Sequence, residues 1–392
     1  MKASRAPSIV FPKRFHRPTW AEVDLRRLAG NLRLLRRRMP RSVGILLVVK
    51  GDGYGHGALQ VCRTAVATGV VDRLGVSSVE EGVSLRDAGI RRPILILGSL
   101  YPFESTLAAV RCGLAVTVAS LDGARLIAEA ARSAYGPARR FRRLRCHLKL
   151  DTGMGRIGVS WPAGLRVAEL LSKERNVEFE GVYTHLACAE GGPEHTRLQI
   201  ARFKEALRGM ERAGITTQLR HAANSAGALL HPSSRFDLIR PGLAAYGLFG
   251  EGFLPVLSLK SRIVFLKQVQ AGTPISYGGL YRAPRPLRVA TLPIGYADGL
   301  PRLVSIPREG RPGAAVLVKG RRCPIVGAVT MDMTMVDVSS VPDVRVGDEA
   351  VIIGKSGARE IAAGELAAWA RTISYEIVAG LQTRVPRVYL RS

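Results

Sequence analysis

The sequence predicts an α/β fold: an N-terminal (β/α)8 barrel over residues 18–252, followed by a mainly β C-terminal domain over 253–392. Three observations predict it. Eight short β-prone segments alternate with helical patterns in the first part of the chain, which is the pattern of a parallel sheet with crossover helices. Polar motifs follow the C-terminal ends of several of those segments, where barrels of this kind carry their chemistry. From about residue 253 the strands come without long helices between them, punctuated by Gly and Pro.

The barrel strands are expected at Gly44–Val49, Arg73–Ser77, Pro93–Leu97, Ala115–Ala119, Arg145–Leu150, Glu178–Thr184, Thr217–Ala222 and Phe236–Ile239. Helices are expected at Val79–Ala88, Phe103–Cys112, Leu121–Ala134, Pro162–Glu174 and Glu194–Ala213. The later strands are expected at Lys260–Val269, Leu287–Leu292, Ala315–Lys319, Arg322–Val329, Thr334–Val338 and Glu349–Ile353. A helix at Ala362–Ala370 and a strand at Arg384–Tyr389 close the chain. The early segment Pro18–Val23, within a stretch 18–28, is free to pack with the C-terminal domain. Residues 1–17 read as a disordered basic tail.

At 392 residues and 47% apolar, the chain can bury a sizeable core. Its net charge of +27 comes mostly from arginine, in runs such as Arg36–Arg38 and 139–145. Such a balance can mark a polyanion partner. These runs carry no aromatic stacking register and no base-reading motif, so a solvated surface and no specific nucleic acid are expected. The five cysteines are dispersed, with no metal-ligand spacing, which predicts reduced thiols, no metal site and a cytoplasmic protein. No apolar run reaches the ~18 residues of a membrane helix, and no membrane partner is expected.

The most informative stretch is Val48-Val49-Lys50-Gly51-Asp52-Gly53-Tyr54-Gly55-His56-Gly57. A lysine at the mouth of a buried strand has a partly desolvated amine, which frees its lone pair. The glycines that follow allow backbone to approach a ligand. A surface lysine before a Gly-rich turn would read the same way.

Further motifs recur in one order: His147-Leu-Lys149-Leu-Asp151-Thr-Gly-Met-Gly-Arg156, Tyr183-Thr-His185, His221-Ala-Ala-Asn224-Ser225, Arg240-Pro-Gly242, Ser276-Tyr277-Gly278, Tyr296-Ala-Asp298, Met331-Asp332 and Tyr375-Glu376. Together with the Lys50 stretch they resemble the alanine racemases, barrel-class pyridoxal phosphate enzymes, from about residue 18 to the end. The resemblance implies a homodimer with shared active sites that interconverts L- and D-alanine by a two-base mechanism and supplies D-alanine for peptidoglycan.

It implies pyridoxal 5'-phosphate bound covalently through Lys50, which is also one base. Tyr277, from the other subunit, is the second. A base on each face of the cofactor inverts the centre without turning the substrate. Tyrosine is a poor base near neutral pH unless a neighbour assists, and His185, linked to Arg240, matches that neighbour. By the same resemblance Tyr54, His221, Ser225, Arg240, Gly242, Leu243 and Tyr375 bind the cofactor, and Arg156 and the main chain of Met331 bind a small amino-acid substrate. Lys149, His185, Tyr296 and Asp332 support them. Lys149 matches a lysine often carbamylated in the family.

The chain departs from the family at three positions. Ala328 stands where a corridor arginine is common, Glu190 where an aspartate is, and Thr330 where a cysteine is usual. Serine and other small amino acids therefore stay open as substrates. Two other classes compete. A barrel-class basic amino-acid decarboxylase would place an acid where Arg240 stands. The single-barrel pyridoxal-binding homeostasis proteins lack any counterpart of 253–392.

Overall fold

A computed structural model describes residues 16–135, 143–305 and 313–390. The basic tail through residue 15 and most of the arginine run 139–145 lie outside the described residues. The chain divides into two units. One holds Leu28–Leu254, and the other holds the described residues up to Arg27 and from Pro255 on.

In chain order the strands of the first half are β1 (Thr19–Asp24), β2 (Gly44–Val48), β3 (Arg73–Val76), β4 (Ile94–Ile96), β5 (Val116–Val118), β6 (Leu144–Asp151), β7 (Val159–Ser160), β8 (Val177–Tyr183), β9 (Leu219–His221) and β10 (Leu238–Ile239). Within Leu28–Leu254, β10, β2, β3 and β4 form one parallel run, and β5, β6, β8 and β9 another. A parallel bridge between Leu95 and Ala115 joins β4 to β5. The other seam closes where the Asp237 N–H donates to the Arg220 carbonyl (3.0 Å) and the Arg240 N–H to the Ala223 carbonyl (2.9 Å). The result is the eight-stranded parallel barrel expected, with every strand within a few residues of its expected place.

The helices Leu25–Arg38, Ala58–Ala67 and Ser225–Leu230 were not among those expected. The first is arginine-rich. Its buried face is carried by Leu28, Leu32 and Leu35, at the four- and three-residue steps of a helix stripe. The Asp24 carboxylate caps its start, accepting from the Arg26 and Arg27 N–H groups at 3.0 and 3.2 Å. Asn31 then pins the helix to the last barrel segment, donating to the Ala245 and Leu254 carbonyls and accepting from the Leu254 N–H.

The second unit is mainly β. Its further strands are β11 (Leu257–Arg262), β12 (Phe265–Val269), β13 (Pro274–Ile275), β14 (Tyr281–Arg282), β15 (Leu287–Leu292), β16 (Ala315–Val318), β17 (Arg321–Pro324), β18 (Thr334–Asp337), β19 (Glu349–Ser356), β20 (Arg359–Ile361) and β21 (Arg387–Leu390). The large sheet runs β17-β16-β19-β11-β1-β21, and β12-β15-β18 form a smaller antiparallel one. The early strand β1 lies inside this sheet, antiparallel to β11 and parallel to β21.

The single strand expected at Lys260–Val269 is in fact two. The chain leaves the large sheet at Ile263, which is buried, and enters the small one at Phe265, which is exposed. The in-out alternation breaks at that step, so one continuous β-prone run serves two sheets. Likewise the strand expected to run to Val329 stops at Pro324, and Gly327 takes a left-handed turn (φ 74°). All five cysteines are unpaired. Among the described residues no helix is long and apolar enough to cross a membrane.

Candidate active site

Lys50 follows β2 at the C-terminal mouth of the barrel, and the four residues after it turn left-handed: Gly51, Asp52, Gly53 and Tyr54 at φ 61°, 51°, 64° and 54°. Non-glycine residues resist this conformation, so it persists only when the surroundings hold it. Two carboxylates do so. Asp52 accepts from the Ala58 N–H at 2.7 Å. Glu81 accepts from the Gly51 and Ser77 N–H groups, both at 2.7 Å, tying the turn to the end of β3. Burial, and then the positive charge of Arg156, lower the Lys50 pKa below the ordinary lysine value, with Glu81 opposing. The amine is thereby biased toward its neutral, nucleophilic form.

Directly after β10, the last barrel strand, Arg240 is buried. Its Nη1 donates to His221 Nδ1 at 2.9 Å. Its Nη2 donates to the Thr184 and Ala222 carbonyls at 2.7 and 3.0 Å and reaches His185 Nδ1 at 3.3 Å. Nothing among the described residues accepts from its Nε–H. The ring of Tyr183 stacks parallel on His221, centroids 4.8 Å apart, and lies under both Arg240 and Lys149. Burial and the neighbouring Arg240 hold His185 and His221 well below the usual histidine pKa, so both are neutral near pH 7.

A buried chain continues from His221 through the barrel interior. His221 Nε2 meets His147 Nδ1 at 2.9 Å, His147 Nε2 meets Glu180 Oε2 at 2.9 Å, and Glu180 Oε1 pairs with Arg73 at 2.8 Å. The pairing of β6 with β8 shifts register at His147, where Cys146 faces Phe179 but His147 faces Gly181. Glu180 is the extra residue of this bulge, and bulges re-aim side chains. Gly181 makes room for the ring, since a Cβ there would lie 2.5 Å from His147 Nδ1.

A second cluster gathers donors around Gly242. Ser225 Oγ accepts from the Gly242 and Ala244 N–H groups at 3.1 and 3.2 Å, with Leu243 buried between them. The Tyr54 hydroxyl lies so close to Gly242 that a Cβ there would sit 2.6 Å from it. Burial pushes the Tyr54 phenol up to about 12, so it stays a hydroxyl donor.

Lys149, on β6, is buried and makes no hydrogen bond among the described residues. Burial first, and then the cations Arg156, Arg240 and Lys50, lower its pKa to about 8. Arg156 is exposed at the end of a loop held by Asp151, which accepts from the N–H groups of Gly153, Met154 and Gly155. The buried Gln199 braces the neighbouring turn, donating to the His185 carbonyl and accepting from the Ala187 N–H.

The remaining residues lie in the other unit. Tyr277 is 73% exposed, and Tyr296 and Met331 are also exposed. Their loops are stitched together. Ser276 Oγ donates to the Ala328 carbonyl at 2.7 Å, and the Tyr296 and Ala297 N–H groups donate to the carbonyls of Thr330 and Met331. The buried Asp298 carboxylate pairs with Arg17 and Arg384, and Asp332 bonds to the same two arginines. Arg17 is thus held in place rather than belonging to a free tail. Ala328 is buried in the turn. Thr330 Oγ1 accepts from the Met333 N–H at 3.1 Å, closing the loop that carries Met331. Tyr375 is half-buried in the short helix Ser374–Ala379.

Sequence reasoning did not single out Arg73, Glu81, Glu180 or Gln199 as site residues. For Glu180 a signal existed: a Glu-Gly pair inside a β-prone run points to a bulge.

The family models for "Alanine racemase, N-terminal domain" and "Alanine racemase, C-terminal domain" match residues 23–249 and 256–389. An alanine racemase of Symbiobacterium thermophilum is 47% identical over 382 residues, covering 95% of this chain and 97% of its own. One from Halothermothrix orenii is 42% identical over 385 residues, covering 96% and 98%. The crystal structure of the Bacillus anthracis alanine racemase with bound L-Ala-P superposes with a TM-score of 0.87 at 35% identity, covering 96% of each chain. The enzyme of Streptomyces coelicolor A3(2) gives 0.86 at 34%, covering 96% and 98%. Two family models spanning most of the chain, and whole-length relatives at these identities, place it in the alanine racemase family.

Proposed function

We propose that this protein interconverts L- and D-alanine with pyridoxal phosphate held on Lys50, using Lys50 and the Tyr277 of a second copy as opposing bases. The observation that carries the reading is Arg240. It is buried at the barrel mouth with an unused Nε–H, where a carboxylate would be needed to keep a pyridine nitrogen protonated. A guanidinium only donates, so it leaves that nitrogen unprotonated.

The residues present fit the cofactor. The Ser225 hydroxyl, held by the Gly242 and Ala244 N–H groups, and the Tyr54 hydroxyl, beside Gly242 and Leu243, form a set suited to a phosphate, at a backbone position where any side chain would intrude. His221 and Leu243 line the same mouth, and Tyr375 is assigned to the phosphate by its match to the family alone. When bound, pyridoxal phosphate supplies an electron sink for the carbanion left by α-proton removal.

This chain's residues do the rest. Lys50, with its lowered pKa, takes or returns a proton on one face. Arg156 meets the substrate carboxylate. Lys149 orients Arg156, and carbamylation would convert it from a strained cation into an anion among three cations. His185, neutral and with Nδ1 facing the Arg240 donor, keeps its proton on Nε2 and is set to donate a hydrogen bond to the opposing tyrosine, favouring the phenolate that a base requires.

Exposure of Tyr277, Tyr296 and Met331 on hydrogen-bonded loops supports a homodimer in which each copy completes its partner's site. Asp332 and its arginine partners hold that surface in shape. Five unpaired thiols favour a cytoplasmic setting, and D-alanine for peptidoglycan is the product's expected use. A racemisation assay across alanine, serine, lysine and arginine tests the proposal. Alanine should turn over fastest; faster turnover of lysine or arginine would overturn it.

A further inference from the structure

The chain from Arg240 to Arg73 has a direction, and both ends dictate it. At one end Arg240 can only donate, so His221 Nδ1 must accept and its proton must sit on Nε2. His221 Nε2–H then donates to His147 Nδ1, which puts the His147 proton on Nε2, where it donates to Glu180 Oε2. At the other end Arg73 occupies Glu180 Oε1, so the carboxylate remains an acceptor. Five groups from five barrel strands are satisfied in one arrangement only.

We propose that Glu180, held by Arg73, is a positioning residue of the active site: it fixes the tautomers of His147 and His221 and so keeps Arg240 aimed at the cofactor's ring nitrogen. This rests on the cofactor reading above only in its last clause. Burial lowers the pKa of both histidines, consistent with two neutral rings in series. The β8 bulge at Glu180 and the missing side chain at Gly181 are the local features that build the link.

Substitution shows why the carboxylate matters. In Glu180→Gln the single carbonyl oxygen turns to Arg73, because a charged donor binds it more strongly. The amide N–H then faces His147 Nε2, which must accept. The His147 proton moves to Nδ1, His221 Nε2 must accept in turn, and its remaining N–H points at the Arg240 N–H. Two donors meet, and Arg240 or His221 has to shift. Removing the competitor reverses this: in Glu180→Gln combined with Arg73→Met the carbonyl is free to face His147 and restore the original order.

The experiment is histidine 15N NMR on the full-length protein, with and without pyridoxal phosphate, alongside alanine turnover. Wild type should show His147 and His221 neutral and protonated on Nε2 near neutral pH. Glu180→Gln should move at least one to the Nδ1 form or the cation and lower kcat by about 10- to 100-fold with KM little changed. The double variant should recover both wild-type signatures and most of the rate. An Nδ1–H or cationic ring in wild type, unchanged tautomers in Glu180→Gln, or no recovery in the double variant would each overturn the proposal. The tautomers are read without turnover, so the proposal and the racemase reading fail separately.

Discussion

In the barrel unit Arg240 is buried and each link from it to Arg73 is hydrogen-bonded, whereas in the other unit Tyr277 stands 73% exposed on a loop. The barrel groups are fixed before any ligand arrives, because buried donors and acceptors must be paired to exist at low cost. The loop groups have their backbones fixed by Ser276, Thr330 and Asp298 but their side chains left for something else to cover. One region is fully paired within this chain; the other presents exposed side chains, which the proposed second copy would cover.

The largest effect should come from Lys50→Ala, which removes the cofactor anchor and one base at once. Visible absorbance of the bound cofactor and racemase activity should both disappear while the fold persists by circular dichroism; a surviving cofactor band would contradict the assignment. Tyr277→Phe should separate the two regions, cutting kcat by about 10²–10⁴-fold, the usual worth of a positioned base, with the cofactor spectrum intact. Wild-type turnover in that variant would remove Tyr277 from the chemistry.

Gly242→Ala should act within the barrel. The new Cβ meets the Tyr54 hydroxyl at 2.6 Å and must displace it, weakening cofactor binding by about tenfold or more, a cost of the size seen for overpacking. Cofactor titration followed by fluorescence would measure it. Unchanged affinity would mean that the phenol lies outside the phosphate site.

The smallest effect is on stability. Lys149 has its pKa lowered to about 8 from an ordinary 10.5. Between those values the unfolded chain binds more protons than the folded one, so this group makes stability rise with pH. Below pH ~8 the penalty for the charged amine is fully present, about 3 kcal/mol. Lys149→Met should therefore stabilise the cofactor-free, uncarbamylated protein at pH 7, with the advantage fading toward pH 10. Equal thermal shifts at both pH values would show that Lys149 is not a strained cation.

The same contrast explains what could be read from the sequence. Several barrel strands were legible because they are short apolar runs bounded by turn residues, as with Ile94–Ile96 between Pro93 and Gly98. The helix Leu25–Arg38 was hidden by its arginines, although Asp24 and the Leu28-Leu32-Leu35 stripe mark it. The break at Ile263–Val264 was invisible, because β-propensity does not reveal which sheet a strand will join. In the site, Lys50 and Arg240 carried local cues. Glu180, His147 and Arg73 did not meet on paper, since they come from three strands separated by as much as half the barrel, and only closure brings them together.

The most direct test of the central claim is a mixed dimer. Lys50→Ala and Tyr277→Phe chains, each inactive alone, are unfolded together, refolded with pyridoxal phosphate and assayed with L-alanine. Random pairing makes half the dimers mixed, each with one intact composite site, so activity should return to about a quarter of wild type. If both bases belonged to one chain, every site would lack one of them, and a mixture no more active than its parents would contradict the account.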